Sequence, residues 1–317
     1  MSEPTGNDVL TARDWPIAAA MNQFPPTGPD GTATQDQSAG RWAATLTEVR
    51  EAGYTEFDPM DSWLRLADLT RERLREFTDV VADVGLTIPA VSTSRRSPVD
   101  PAGAEENMAY LHRAVDVAAA VGASVVSVGF FRELTPDQQR ALWFWTVQGP
   151  VDSDDPATYR LAVKRIRELA RHAEQVGVEV SLEMYEDTYL GTADDAVRFV
   201  TDVDHPHVGL NPDFGNLVRL HRPVERWQDM VVKTVPLANY WHIKNYMRTE
   251  DGTTGQVVTA PAPLELGVVN YRWAVRHAVA HGFRGAFCTE HYGGDGLGVG
   301  ARNREYLRGV LPARTPH

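Results

Sequence analysis

The sequence predicts an α/β fold in which eight parallel strands, each followed by a helix, close into a (β/α)8 TIM barrel. The first observation is an alternation of short apolar runs with amphipathic helical patterns, repeated eight times along the 317 residues. The second is that helical patterns end at glycines, in the sequences EAG, DVG, AVG, QVG and AHG. The third is length, because a barrel of about 250 residues plus insertions fits the chain. These observations favour one barrel domain over residues 15–317, preceded by a flexible arm over residues 1–14.

The predicted elements follow one another without a linker that would divide the chain. Apolar runs without alternation are typical of strands buried on both faces of a parallel sheet, and they lie at residues 17–24, 54–60, 86–93, 123–131, 178–184, 208–211, 239–246 and 285–290. Apolar residues at helical spacing predict the helices, which lie at residues 39–52, 70–84, 103–121, 157–176, 193–203, 224–234, 271–280 and 300–310.

Two loop insertions exceed what a plain barrel needs, one after strand 4 (residues 132–156) and one after strand 7 (residues 248–267). Both follow strand ends, where long loops are often lids or partner contacts. Residues 142–145 of the first insertion, LWFW, would be costly to leave in water. We therefore expect the first insertion to be packed, whereas the second suits a mobile surface excursion.

Composition limits the classes of protein to consider. Hydrophobic residues make up 43% and charged residues 23% of the chain, as in ordinary globular proteins. The formal net charge of −12 argues against a nucleic-acid partner. No run of about 18 apolar residues predicts a membrane span, and the N-terminus lacks a signal-peptide pattern. The single cysteine, Cys288, excludes an internal disulfide, favours a cytoplasmic location and is interpreted as a core residue.

Strands 5 to 8 end with side chains that carry chemistry: Glu183, Asp213, His242 and Glu290. The carboxyl ends of barrel strands meet at one mouth, so we expect the four to converge there. Carboxylates close together repel one another, and a divalent cation relieves that repulsion. A lone glutamate at a strand end is more often a salt-bridge partner, but the joint pattern predicts one metal ion. Oxygen-rich ligands with one imidazole suit Mn²⁺, with Mg²⁺ or Co²⁺ as alternatives, better than a structural zinc.

Residues near these strand ends have two interpretations each. Lys244 shares the inward face with His242, where it would either polarise a substrate oxygen or neutralise the acidic ring. Glu186 would orient a ligand, bind a sugar hydroxyl, or lie on the surface. Asp58 and Arg95, near the ends of strands 2 and 3, are interpreted as ordinary loop residues.

Four motifs, SLEMYED, NPDFGN, YWHIKNYMR and FCTEHYGG, resemble the metal-ligand strands of the xylose-isomerase-like barrels. This superfamily comprises sugar isomerases and epimerases, ketose 3-epimerases, inosose dehydratases and endonuclease-IV-type enzymes. The resemblance begins at about residue 17 and is strongest over residues 178–295. It implies that the four strand-end residues bind the metal and that the two glutamates exchange protons with the carbon beside a substrate carbonyl. This makes chemical sense, because a metal that polarises the carbonyl acidifies that proton.

The resemblance to the ketose epimerases extends to two substrate-binding positions. Arg248 matches their substrate-binding arginine, although an exposed loop arginine is the plain alternative. Asn216 stands where they carry a substrate-binding histidine, which is a departure from their pattern. We therefore expect Asn216, Arg248, Lys244 and Glu186 at the substrate, but not necessarily a free-ketose epimerase.

Longer runs are similar to the large (alpha) subunit of bacterial C-glycoside deglycosidases: EMYEDTYLGTADDA, NPDFGNLVRLHRP, NYWHIKNYMR and EHYGGDG. The resemblance implies a C-glycoside substrate oxidised to a 3-oxo sugar and a smaller beta subunit as partner, hence a hetero-oligomer. Glu183 or Glu290 would remove the C2 proton, and the enolate would expel the aglycone carbon from C1. His291 or a phenolic tautomer of the substrate would supply the proton for the departing carbon.

Three functions remain open from the sequence. The first is a metal-dependent carbon–carbon lyase acting on 3-oxo-C-glycosides. The second is an isomerase or epimerase of a free ketose or sugar acid. The third is a binding or scaffolding subunit that uses the aromatic residues of the first insertion.

Overall fold

The structure is a computed structural model that describes residues 10–313. Ten strands are present in that part of the chain: β1 Ile17–Ala20, β2 Glu56–Asp58, β3 Ala90–Ser92, β4 Val125–Val128, β5 Glu179–Glu183, β6 Val208–Asn211, β7 Trp241–Ile243, β8 Asn245–Glu250, β9 Val257–Ala262 and β10 Phe287–Thr289. Ten α-helices accompany them: α1 Ala39–Glu51, α2 Arg71–Val84, α3 Ala104–Ala120, α4 Pro136–Arg140, α5 Pro156–Val176, α6 Ala193–Val203, α7 Gly215–Val218, α8 Trp227–Thr234, α9 Tyr271–Ala280 and α10 Gly296–Val310.

Eight of the strands close into a parallel barrel. One run of four has the order β2-β1-β10-β7 and the other has the order β3-β4-β5-β6. Single parallel bridges, Glu56 to Thr87 and Leu210 to Ala238, join the two runs at both seams. The predicted (β/α)8 barrel is therefore confirmed.

The helices begin and end where the sequence provides caps. Thr70 accepts a hydrogen bond from the Arg73 N–H at the start of α2, and Gly85 ends that helix with a φ of 76°. Asp155 caps α5 in the same way, and Gly177 ends it with a φ of 75°. Both glycines adopt the left-handed conformation that a side chain disfavours, which explains the repeated glycine ends.

Alternation along the strands separates two apolar regions. Outward residues such as Phe57, Val126 and Trp241 pack against the helices in the main core. The barrel interior holds a smaller cluster, which includes Ala18, Ala90, Val125, Tyr240 and Cys288. The buried Cys288 confirms the prediction of a core residue.

The first insertion forms α4 and a short 3-10 turn, and the second differs from the expected mobile excursion. Its residues belong to an antiparallel hairpin of β8 with β9, in register from Asn245–Ala262 to Glu250–Val257. Asn245 anchors the hairpin, because its Nδ2 donates to the carbonyl oxygens of Leu264 and Val269. Sequence reasoning did not predict this strand pairing, because it interpreted residues 248–267 as a mobile loop.

Most of the expected N-terminal arm, residues 1–9, lies outside the described residues. Just after it, the carbonyl oxygens of Ala12 and Trp15 accept hydrogen bonds from Arg308 Nη1 at 2.8 and 2.5 Å. Over residues 10–313, none of the helices has the length and apolar character needed to cross a membrane.

Candidate active site

The carboxyl ends of four barrel strands bring the predicted strand-end residues together, and we call these four residues the strand-end cluster. Ligand atoms of Glu183, Asp213 and His242 lie within 4.8 Å of one another. His242 Nδ1 is 3.4 Å from Glu183 Oε2 and 3.9 Å from Glu290 Oε2. All four side chains are buried. The cluster therefore concentrates three carboxylates around one imidazole at the mouth of the barrel.

Lys244 supplies a positive charge within the strand-end cluster. Its Nζ donates to Asp213 Oδ2 and, at 2.6 Å, to Glu290 Oε2. Burial alone would lower the pKa of Lys244, but these two carboxylates raise it well above its usual value. Of the two interpretations of Lys244, this geometry matches the neutralisation of the acidic ring.

Two asparagines orient the carboxylates. Asn216 Nδ2 donates to Glu183 Oε1 at 2.9 Å and to Asp213 Oδ2 at 3.1 Å. Asn22 Nδ2 donates to Glu290 Oε1 at 2.7 Å. Asn22 lies in the turn that follows β1, and no motif in the sequence marked it. Each glutamate is thus held at one oxygen by a neutral donor, and the second oxygen of Glu290 also accepts a hydrogen bond from Lys244.

Asp58 supports His242 from inside the barrel. Ser92 Oγ lies 3.1 Å from His242 Nε2 and donates to Asp58 Oδ2 at 2.6 Å. The Tyr240 hydroxyl donates to the same oxygen at 2.7 Å. Asp58 is fully buried and belongs to β2, so its interpretation as an ordinary loop residue is wrong. This network engages Nε2 and leaves His242 Nδ1 facing the carboxylates.

The electrostatics of the cluster hold its members in different protonation states. Burial would raise the pKa of Glu183, but His242 and Lys244 outweigh it and hold the pKa at about 2. Burial, opposed by Lys244 and supported by Glu290, raises the pKa of Asp213 to about 7. Burial would lower the pKa of His242, but the surrounding carboxylates raise it to about 10. Without a metal, protons and Lys244 thus balance the negative charge.

The cluster fits a divalent cation. His242 Nδ1 and Asp213 Oδ1 are buried and have no hydrogen-bond partner in the described part of the chain. Buried polar atoms without a partner are costly, and a cation among these atoms would supply one. Three carboxylates with one imidazole form a donor set suited to Mg²⁺ or Mn²⁺.

A cavity of about 390 Å³ opens above the cluster. Glu183, Asn216 and Glu290 line it, whereas Asp213, His242 and Lys244 are not among its lining residues. Its wall also has an aromatic set and three arginines, namely Phe131, Phe144, Tyr185, Tyr292, Arg65, Arg95 and Arg96. The site therefore offers a substrate both carboxylates and flat apolar surfaces.

The first insertion packs aromatic rings against the cavity wall, and its Phe144 lines the cavity. Trp145 is 4% exposed and packs edge-on against Tyr246 and Tyr292, at centroid distances of 5.5 and 5.3 Å. Trp143 stacks on Trp145 at 5.0 Å. It also contacts Gly293, where a Cβ would lie 2.7 Å from the Trp143 ring. The expectation of a packed insertion is confirmed, except that Leu142 is 86% exposed.

Three further predicted site residues, Arg248, Glu186 and His291, are also not among the residues that line the cavity. The Arg248 guanidinium donates hydrogen bonds to the carbonyl oxygens of Val218, Leu220 and Arg222. Glu186 accepts two hydrogen bonds of 2.9 Å from Arg219. His291 is half-buried, and burial lowers its pKa. Arg248 and Glu186 therefore hold the loops around the cavity together.

Sequence reasoning missed several lining residues, of which Arg95 is the clearest. It was interpreted as an ordinary loop residue, yet it lines the cavity. Its Nη1 donates to the Arg132 carbonyl at 3.0 Å and to the Tyr185 hydroxyl at 3.2 Å. The signal was available, because Arg95 and Arg96 follow strand 3 at the chemically active end of the barrel.

A closed parallel barrel with carboxylates and an imidazole gathered at the carboxyl ends of its strands has the architecture of metal-dependent barrel enzymes. Comparison with protein families agrees with that class: residues 46–310 match the model of the xylose isomerase-like TIM barrel family. The chain belongs to this family. No curated protein matches the chain.

Solved structures resemble the chain at two levels. A xylose isomerase-like TIM barrel protein from Mycobacterium smegmatis, in complex with magnesium, is 52% identical with a TM-score of 0.91, and the match covers 95% of this chain and 98% of that one. The 3-keto-D-glucoside 4-epimerase of E. coli is 15% identical with a TM-score of 0.63, covering 93% and 99%. D-psicose 3-epimerase from Clostridium cellulolyticum H10 is 14% identical with a TM-score of 0.62, covering 93% and 96%. The two epimerases share the fold.

Proposed function

We propose that the protein is a divalent-metal-dependent enzyme that removes a proton beside the carbonyl of an oxidised sugar. The observation that carries this proposal is the pair Glu183 and Glu290, both lining the cavity and both within 4 Å of His242 Nδ1. Carboxylates held at the edge of a cavity can take up a proton from carbon when the neighbouring carbonyl is polarised.

Glu183, Asp213, His242 and Glu290 would hold the metal ion. The ion would polarise the substrate carbonyl and lower the pKa of the adjacent C–H group. The similar protein from M. smegmatis contains magnesium, so we propose Mg²⁺ or Mn²⁺, with Co²⁺ as a further alternative. Asn216 and Asn22 would keep the two glutamates oriented while one of them accepts the proton.

Cleavage of a C-glycoside is the reaction outcome that we favour. A carboxylate takes the C2 proton of the 3-oxo sugar, and the electron pair moves into the carbonyl to form an enolate. When the enolate reforms the ketone, a C1–C2 double bond forms and the C1–aglycone bond breaks. Its electron pair goes to the aglycone carbon, which must then be protonated. The aromatic wall of Phe131, Phe144, Tyr185 and Tyr292 suits a flat aglycone.

The position of His291 bears on which group donates the proton to the aglycone carbon. This residue is not among those that line the cavity, and a proton donor must reach its acceptor directly or through one water. We therefore favour a phenolic tautomer of the substrate over His291 as the proton donor. His291→Gln tests this choice, because loss of aglycone release with retained proton exchange would restore the histidine as the acid.

Isomerisation or epimerisation of a ketose or sugar acid is the second candidate. The presence of two cavity-lining glutamates favours it, since epimerisation needs one base and one acid at the same carbon. The similar fold of two sugar epimerases is compatible with either outcome.

The experiment uses purified protein loaded with Mg²⁺ or Mn²⁺ and 3-oxo-C-glucosides or ketoses in D₂O. Release of aglycone supports the lyase, and interconversion of ketoses without such release supports the epimerase. Exchange of the α-proton should be lost in Glu183→Gln and Glu290→Gln but retained in the exposed control Glu250→Gln. Unchanged exchange in both glutamate variants would contradict the proposal. Activity of a complex with a partner subunit that is unchanged by both substitutions would favour a scaffolding role for this chain.

We also propose a smaller beta subunit as partner, in a hetero-oligomer. This proposal rests on the motif similarity to C-glycoside deglycosidases. Purification from the native host followed by mass spectrometry tests it, with stoichiometric recovery of a smaller polypeptide as the expected result. An active preparation that contains this chain alone would contradict it.

A further inference from the structure

Arg96 places a positive charge without a partner at the wall of the cavity. Within residues 10–313 its guanidinium has no ion-pair partner, and its buried Nε has no hydrogen bond. Its Cζ lies 4.7 Å from the centroid of the Tyr110 ring. An arginine stacked on an aromatic ring keeps the edge of its guanidinium free to donate hydrogen bonds.

The nearby Asp61 forms no ion pair with Arg96 in the described part of the chain. Asp61 accepts hydrogen bonds from the Tyr110 hydroxyl at 2.6 Å and from the Ser94 N–H at 3.0 Å, so both of its oxygens are engaged. Burial raises the pKa of Asp61 to about 7, although both hydrogen bonds and Arg96 lower it. The carboxyl group is therefore only partly ionised near neutral pH.

The backbone around Arg95 brings a second arginine to the same cavity. Successive side chains of an extended segment point to opposite sides. Arg95 instead has a φ of 56°, in the left-handed region, and both Arg95 and Arg96 line the cavity. A left-handed backbone is unfavourable for a residue other than glycine, and such strain often marks functional sites.

We propose that the substrate carries a carboxylate that Arg96 binds, with Arg95 beside it, while the reacting carbonyl lies at the strand-end cluster. The placement of the carbonyl depends on the proposed function, whereas the inference of a carboxylate depends on Arg95 and Arg96. One free guanidinium matches a singly charged, planar anion, with which it forms two parallel hydrogen bonds. The carboxylate has two potential sources, the sugar itself or an aromatic aglycone that stacks on the cavity wall.

Calorimetric titration of Mg²⁺-loaded protein near neutral pH tests this inference with four probes. D-Glucuronate is compared with D-glucose, and benzoate with benzyl alcohol. At least one acid should bind about tenfold or more tightly than its neutral counterpart, as expected for a charge-assisted pair. Preference for glucuronate would identify a sugar acid, and preference for benzoate would identify an acidic aglycone.

Arg96→Gln should remove the preference, and Arg113→Gln is the matched control. Arg113 lies 5.4 Å from the centroid of the same Tyr110 ring, but it donates to Asp68 and the Ala67 carbonyl and is not among the cavity-lining residues. If Arg96→Gln unfolds, Arg96→Lys keeps the charge without the planar fork and should weaken acid binding by a smaller factor.

Equal binding of acids and neutral compounds, or an acid preference that survives in Arg96→Gln, would overturn the inference. Its failure is distinct from failure of the proposed function, because α-proton exchange depends on Glu183 and Glu290. A protein that exchanges protons but shows no acid preference would refute the role of Arg96 alone.

Discussion

Asp58 illustrates how one buried residue influences the site without reaching the substrate. Its carboxylate lies 3.5 Å from His242 Nε2 and is joined to that atom through the hydroxyl of Ser92. Such an arrangement fixes which imidazole nitrogen faces a metal and increases its basicity. Sequence reasoning missed Asp58, because a carboxylate on a distant strand gives no local signal of the contact.

Asp58→Asn should weaken the binding of Mg²⁺ or Mn²⁺ by about 10–100-fold, because His242 loses the negative charge that orients it. Calorimetric titration with each ion measures the change. Asp152→Asn is the control, since Asp152 is also buried but pairs with Arg132 at 3.0 Å away from the cluster. Unchanged affinity in Asp58→Asn would show that the network does not act on the metal.

Asp61 is expected to make stability depend on pH. Its folded-state pKa is about 7, whereas the unfolded value is about 3.9. The native state therefore binds more protons between these values, and the free energy of unfolding falls as pH rises through this window. Asp61→Asn should remove this pH-dependent loss of stability. The free energy of unfolding of the variant minus that of the native sequence should therefore be about 1–3 kcal/mol larger above this pH window than below it.

Urea denaturation of both proteins at the two ends of that pH window measures the effect. Other titrating groups are common to both proteins, so their contributions cancel in the difference. A difference in unfolding free energy that does not change with pH would contradict the role given to Asp61.

At the scale of elements, the first insertion links stability to the shape of the cavity. Trp145 contacts the ring of Tyr292, which lines the cavity, and its ring also lies 5.1 Å from the guanidinium carbon of Arg219. The insertion is therefore a packed part of the wall. Its packing was predictable from the four successive apolar residues, but its partners were not, since they come from distant strand ends.

Trp145→Ala should lower the free energy of unfolding by about 3–5 kcal/mol, as expected for a large buried ring. It should also raise the KM for substrate, because Tyr292 loses its support. Leu142→Ala is the control from the same insertion and should change stability by less than about 0.5 kcal/mol, since Leu142 is exposed. Chemical denaturation and steady-state kinetics measure both effects, and equal behaviour of the two variants would contradict this account.

For the whole molecule, periodicity predicted the barrel because each strand and helix buries a face that the sequence repeats. The strand ends were harder to predict. Residues 21–23 lie within the predicted strand 1, yet they turn out of the sheet and bring Asn22 to Glu290. Residues 239–246 likewise divide into β7 and the start of a hairpin. Local apolar character does not indicate where tertiary contacts at the barrel mouth end a strand.

A metal that joins four strands should stabilise the whole barrel. Binding to the folded state alone adds about 2.7 kcal/mol at an ion concentration of 100 times the dissociation constant. Chelation with EDTA should therefore lower Tm by several degrees. Asp213→Ala should abolish the difference between loaded and chelated protein, whereas the exposed control Asp137→Ala should retain it. Full metal occupancy in Asp213→Ala would exclude Asp213 as a ligand.

The ammonium of Lys244 has a further consequence for how the protein would acquire the proposed metal ion. Because this tethered counter-ion already bridges Asp213 and Glu290, the newly folded chain does not need a metal ion to offset the repulsion between these carboxylates. Metal binding would then replace the Lys244 ammonium by a divalent ion in a barrel that is already folded. The metal-free protein should therefore stay folded and take up a divalent ion without refolding.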